Sequence, residues 1–189
     1  MLGVFQWRTQ VVLLGVCAPM TVATASDLKV GATSPQVQLK THEGETFSLA
    51  ERKGKSWTIL YFYPKAGTPG CTKQACAFRD AADDIKKQNA EVFGISTDTV
   101  AKQAAFHKEH NLKFKLLSDT DGKVLEAFGV RIPVLNVAKR WTFIIDPELK
   151  IRHINDQVDP LLDAKNVIAT LKTLQSETDS KSSPEKGKK

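Results

Sequence analysis

The sequence predicts one α/β domain, a central mixed β-sheet flanked by helices. Three observations predict it. Runs of β-branched and aromatic residues alternate with helix-forming stretches along the middle of the chain. A hairpin pattern followed by a last helix closes that order. With 189 residues, 41% hydrophobic and 25% charged, the chain suits a single sizeable core.

The elements follow in order. A short strand is expected around 37–39, then a turn at Glu43-Gly44 and a surface segment over 47–53. Residues 57–63 are β-branched or aromatic at every position but Leu60 and read as a buried strand. A Pro/Gly-rich turn leads to a helix over about 72–87. Residues 91–96 read as a strand, and 99–110 as a helix with Val100, Ala104 and Ala105 on one face. A short strand at 115–117 and a short helix at 122–128 come next. Two strands at 141–145 and 150–154 flank the turn Asp146-Pro147-Glu148-Leu149 as a hairpin. Asp159-Pro160 starts a helix over about 161–174, with Leu161, Ala164, Ile168 and Leu171 at core spacing.

The two ends differ from this middle. Arg8, the apolar run 11–18 and Ala23-Thr24-Ala25 together read as a signal peptide over 1–25, cleaved near Ser26; the alternatives are an N-terminal strand or an uncleaved anchor. The apolar run is too short for an ordinary transmembrane helix. Cleavage would remove Cys17 and leave Cys71 and Cys76 as the mature chain's cysteines. The compartment would then be oxidising: a periplasm, or the exterior of the cell. The domain is expected over 26–175, and the Ser-, Lys- and Glu-rich tail over 176–189 is expected to be disordered. A net charge of +6 with pI near 9.2 is scattered, without a basic stripe interleaved with aromatics, and this argues against nucleic acid as a partner.

Cys71 carries the chemistry. It lies in Tyr63-Pro64-Lys65-Ala66-Gly67-Thr68-Pro69-Gly70-Cys71-Thr72-Lys73-Gln74-Ala75-Cys76, where a strand-to-helix turn delivers it to a helix N-terminus. Free backbone N–H groups and the dipole there favour a thiolate, the nucleophilic form. The bland alternative is a buried cysteine with Cys76 as its structural disulfide partner. Residues i and i+5 of an ideal helix have Cα atoms about 8.6 Å apart, and a disulfide needs about 4.4–6.8 Å. A bond between these two therefore requires local unwinding, which suits a redox cycle better than a static staple. Weaker candidates are His107 and His110, spaced for a metal but lacking a third ligand and better read as a solvated helix face. Asp119 and Asp121 flank Gly122 and shape a turn, and the loop 67–70 lacks the residues of a phosphate loop.

The Cys71 segment resembles the active site of the peroxiredoxins, whose pattern Pro-x-x-x-Thr/Ser-x-x-Cys is matched by Pro64, Thr68 and Cys71. The fuller stretch is similar to the peroxiredoxin Q branch, also called bacterioferritin comigratory protein. The likeness continues through 94–98, 116–122, 128–130 and 140–147, and spans about 29–174. Gly67 and Trp141 depart from the branch, which usually has Asp and a small Ser or Thr there. The resemblance implies a thioredoxin-like fold and a thiol-dependent peroxidase acting on hydrogen peroxide and organic hydroperoxides. It implies that Cys71 attacks the peroxide, that Cys76 resolves the sulfenic acid as an intramolecular disulfide, and that a thioredoxin-like protein reduces it. Thr68, Arg140 and Pro64 would then position and shield the reacting groups; without the resemblance, Arg140 reads as an exposed charge. No cofactor or metal is called for, a monomer is expected, and no stable membrane association is expected after cleavage. The rivals are a dithiol oxidoreductase, which needs Cys-x-x-Cys, and a copper chaperone with His153 as distal ligand, which needs Cys-x-x-x-Cys. Neither spacing is present.

Overall fold

The structure is a computed structural model and describes residues 28–182. The targeting segment expected over 1–25 lies outside the described residues.

Strand β1 (Gln38–Thr41) and strand β2 (Thr46–Ser48) form a hairpin, followed by a 3₁₀ turn at Leu49–Arg52. Strand β3 (Trp57–Phe62) leads to helix α1 (Pro69–Lys87), and strand β4 (Ala90–Ser96) to helix α2 (Val100–Glu109). Strand β5 (Leu116–Ser118), the short helix α3 (Lys123–Ala127) and a two-stranded ribbon of β6 (Arg131–Ile132) and β7 (Val137–Ala138) follow. Strands β8 (Trp141–Ile145) and β9 (Ile151–Asn155) make the predicted hairpin, and helix α4 (Asp163–Ser182) ends the described chain. The main sheet runs β2-β1-β5-β4-β3-β8-β9 and is mixed: β3, β4 and β5 are parallel, and the outer pairings are antiparallel.

The period of two explains the layering. Along β3, Trp57, Ile59 and Tyr61 face one core with α1 and α4, whereas Leu60 and Phe62 face the other with α3. Both faces are covered, so every residue of β3 is buried and the strand reads as a continuous apolar run. Gly94 on β4 is a glycine by necessity, because a Cβ there would lie 2.5 Å from the Tyr61 ring and hydroxyl.

Five expectations are corrected by the structure. The segment 47–53 is not a surface stretch: Phe47 packs on Phe93 at 4.5 Å between ring centroids, and Leu49 is buried beside it. On α2 the inward face carries Gln103 and Phe106, not Val100, Ala104 and Ala105. Gln103 can be buried because its amide donates to Ser96 Oγ at 2.9 Å and the Leu117 carbonyl at 3.1 Å. On α4, Leu161 precedes the helix and is exposed, and Ala164, Val167 and Leu171 are the buried stripe. The tail is helical from Ser176 to Ser182, beyond the point where composition suggested disorder. No glycine or proline interrupts the sequence before Pro184, and Thr178 Oγ1 donates to the Leu174 carbonyl at 2.9 Å. His107 and His110 are half-buried instead of solvated: His107 stacks on His42 at 3.8 Å, and His110 lies edge-on to Phe106. Burial holds His42 and His107 below the usual imidazole range. Asp119 and Asp121 shape their turn as expected, accepting from the backbone N–H groups of Leu125 and Lys123.

Candidate active site

Helix α1 starts at Pro69, earlier than the sequence suggested, with Thr68 as N-cap. Pro69 is pre-set for the first helical position, where its missing N–H removes no bond. Cys71 therefore lies in the first turn, and its side chain is only 1% exposed. The loop before it is fastened to the end of β4. Asp98 Oδ2 accepts from the backbone N–H of Ala66 at 2.7 Å and from Ser96 Oγ at 2.9 Å, while Lys102 pairs with Oδ1 at 2.7 Å. The Tyr63 hydroxyl donates to Gln103 Oε1 within the same network. Gly67, at the departure from the branch pattern, has φ of 81°, in the left-handed region that a glycine adopts freely.

Arg140 comes from the loop between β7 and β8 and meets the cysteine. Its Nη2 lies 3.4 Å from Cys71 Sγ, and its Nη1 donates to Gln74 Oε1 at 2.6 Å. Gly70 admits the guanidinium over the helix start, since a Cβ there would come within 3.3 Å of Nη2. Gln74 Nε2 in turn donates to Asp163 Oδ2 at 2.7 Å, and so does Thr142 Oγ1 at 2.7 Å. An open cleft of about 500 Å³ beside Arg140 is lined by Lys139, Trp141, Val158 and Asp159 among others.

The five residues singled out from sequence are not equally joined. Cys71 and Arg140 touch. Pro64 follows β3 and is half-buried. The Thr68 hydroxyl donates to the Lys65 carbonyl at 3.0 Å, not to Cys71, so here it closes the loop on itself. Cys76 is half-buried, five residues along the same unbroken helix; both cysteines are free thiols. Gln74, Asp98, Thr142 and Asp163 were missed. Gln74, Asp98 and Thr142 lie inside stretches that the sequence marked as alike, but nothing in those stretches assigns them a contact. Among the described residues, no group of three or more His, Cys, Asp or Glu could hold a metal ion. Likewise, no described helix is long and apolar enough to cross a membrane.

A fixed cation against a cysteine in the first turn of a helix is an arrangement that favours thiolate chemistry. Comparisons with known proteins agree with it. The AhpC/TSA family matches residues 30–154. Peroxiredoxin Q, chloroplastic, of Triticum aestivum is 41% identical over 160 residues, covering 84% of this chain and 72% of that protein. A bcp peroxiredoxin of Coxiella burnetii is 45% identical over 127 residues, covering 64% of this chain and 83% of its own. The crystal structure of peroxidoxin BcpB from Mycobacterium tuberculosis superposes with a TM-score of 0.73 at 36% identity, over 78% of this chain and 98% of that one. These relatives correct the localisation. The Triticum aestivum protein is named chloroplastic and the Coxiella burnetii one is of the bcp type, which overturns the expectation of a periplasmic or secreted protein. The export expectation rested on the hydropathy and small-residue spacing of the first 25 residues alone. By site, fold and likeness, the chain belongs to the AhpC/TSA family and is a peroxiredoxin of the peroxiredoxin Q and bcp branch, a thioredoxin-like fold carrying a thiol-dependent peroxidase.

Proposed function

We propose that Cys71 is the peroxidatic nucleophile and Cys76 its resolving partner. The Cys71 thiolate attacks the terminal oxygen of a hydroperoxide. The O–O bond breaks, the departing alkoxide or hydroxide takes a proton, and alcohol or water leaves as Cys71 becomes a sulfenic acid. The Cys76 thiolate then attacks the Cys71 sulfur, expelling hydroxide and forming the disulfide. A thioredoxin-like dithiol reduces that bond by exchange. The observation that carries the reading is Arg140 Nη2 at 3.4 Å from Cys71 Sγ, because this cation can hold both the thiolate and the charge developing on the peroxide oxygens. Pro64 shields the sulfur from bulk water, and Thr68 shapes the loop that the peroxide meets.

Helix α1 is unbroken from Pro69 to Lys87, so the disulfide requires its first turns to open. The experiment is peptide mass mapping after one equivalent of hydrogen peroxide on metal-free protein, with hydrogen exchange on both redox forms. The parent should show a Cys71–Cys76 disulfide and loss of amide protection over 71–79. The Cys76→Ser variant should trap the Cys71 sulfenic acid. Equal protection in both forms, with the disulfide confirmed by mass, would rule out the unwinding step. Absence of any Cys71 oxidation would remove the peroxidase assignment and leave a dithiol exchange protein.

A further inference from the structure

Asp163 stands outside the reacting pair but is tied to it. It opens α4, is fully buried, and receives two hydrogen bonds on the same oxygen, from Gln74 Nε2 and from Thr142 Oγ1, each at 2.7 Å. Its other oxygen makes no hydrogen bond of good geometry, although the Asn155 side chain lies close enough to act on the carboxyl. The charged and titratable groups facing it are Arg140, Tyr61 on β3 and His153 on β9. Burial pushes its carboxyl up, while Thr142, Gln74 and the Arg140 charge pull it back.

An ionised carboxylate only accepts hydrogen bonds. It therefore holds the NH₂ end of Gln74 on its own side and leaves the Gln74 carbonyl facing Arg140. Arg140, pinned by Nη1 on that carbonyl, presents Nη2 to Cys71. We propose that Asp163 is a positioning residue for peroxide attack: it fixes the amide of Gln74, which in turn aims the guanidinium of Arg140 at the Cys71 sulfur. The proposal rests on the thiol peroxidase reading of the same site.

A bare buried charge would act in the opposite sense. A carboxylate near a sulfur disfavours its thiolate, so removing that charge alone would ease ionisation of Cys71. Positioning predicts that removal hinders it. The test is Asp163→Leu in the full chain, which removes the acceptor along with the charge, read by the pH dependence of Cys71 alkylation, resolved by peptide mass, and by stopped-flow peroxide consumption. The Cys71 titration should move up by roughly one pH unit, and peroxide attack should slow by about tenfold. Gln74→Leu should reproduce both changes, and it carries the test if Asp163→Leu does not fold. In the Gln74→Leu background, Asp163→Leu should change either readout by no more than about twofold, because residues acting through one network are not additive. A titration that stays put or moves down overturns the proposal, and so does a full Asp163→Leu effect without Gln74. Absence of peroxide consumption by the parent would instead remove the peroxidase reading, while the alkylation profile still judges the relay.

Discussion

Cys71→Ser is expected to abolish peroxide reduction, because no other thiol in the described chain is paired with a guanidinium in a first helical turn. A serine hydroxyl at that place stays protonated and attacks peroxide too slowly to matter. Cys76→Ser should behave differently. Cys71 keeps Arg140 and the loop, so one fast turnover remains, and the cycle then stops at the sulfenic acid. With excess peroxide that acid should pass on to sulfinic acid. Stopped-flow consumption at equimolar peroxide separates the two variants. A fast single turnover by Cys71→Ser would show that the nucleophile has been misassigned.

The second large effect belongs to Arg140. Arg140→Ala should slow peroxide attack by about 10²–10³-fold, the usual loss for one preorganised donor, and should shift Cys71 alkylation to higher pH. Arg140→Lys should recover only part of the rate. A lysine presents one compact charge, whereas the arginine fork meets Gln74 with one nitrogen and Cys71 with the other. Thr68→Val should slow the same step less, since its hydroxyl fastens the loop through the Lys65 carbonyl and does not reach the sulfur. An Arg140→Ala rate within about twofold of the parent would take Arg140 out of the reaction, given the size of effect such donors have.

What could be seen in advance was what short-range pattern encodes. The buried strand 57–63 announces itself by composition, and Cys71 by the proline and glycines that turn the chain into a helix. The start of α1 was placed too late because a proline reads as a breaker until it is recognised as the first helical residue. Ribbon β6–β7 was missed because two-residue strands carry no period. The polar wiring was missed for a different reason. Gln74 meets Arg140 across 66 residues and Asp163 across 89. Only the sheet order, with β8 beside β3, brings α1, the arginine loop and the start of α4 together. Gln103 shows the same limit: by type it belongs on a solvent face, but in the fold it lies under the end of β3.

The two ends of α1 are held by different means, and this bears on electron transfer. The first turn has no side-chain cap, and Pro69 has no N–H to contribute, so beyond packing it relies on Gln74 and Arg140. The far end is clamped: Ile85 is in the core, and Gln175 on α4 donates to the Gln88 carbonyl at 2.6 Å. Opening for the proposed disulfide is therefore confined to the start of the helix, and whatever folding energy that start holds is absent from the oxidised form. In a closed thermodynamic cycle that energy appears as reduction potential. Each loss of about 1.4 kcal/mol in the oxidised form makes the disulfide about 30 mV more oxidising. In the proposed cycle the helix would thus act as a spring that favours acceptance of electrons from a dithiol donor. Denaturant titrations of the two redox forms would measure it: the reduced protein should be the harder to unfold, and a more stable oxidised protein would mean that some other element yields when the bond forms.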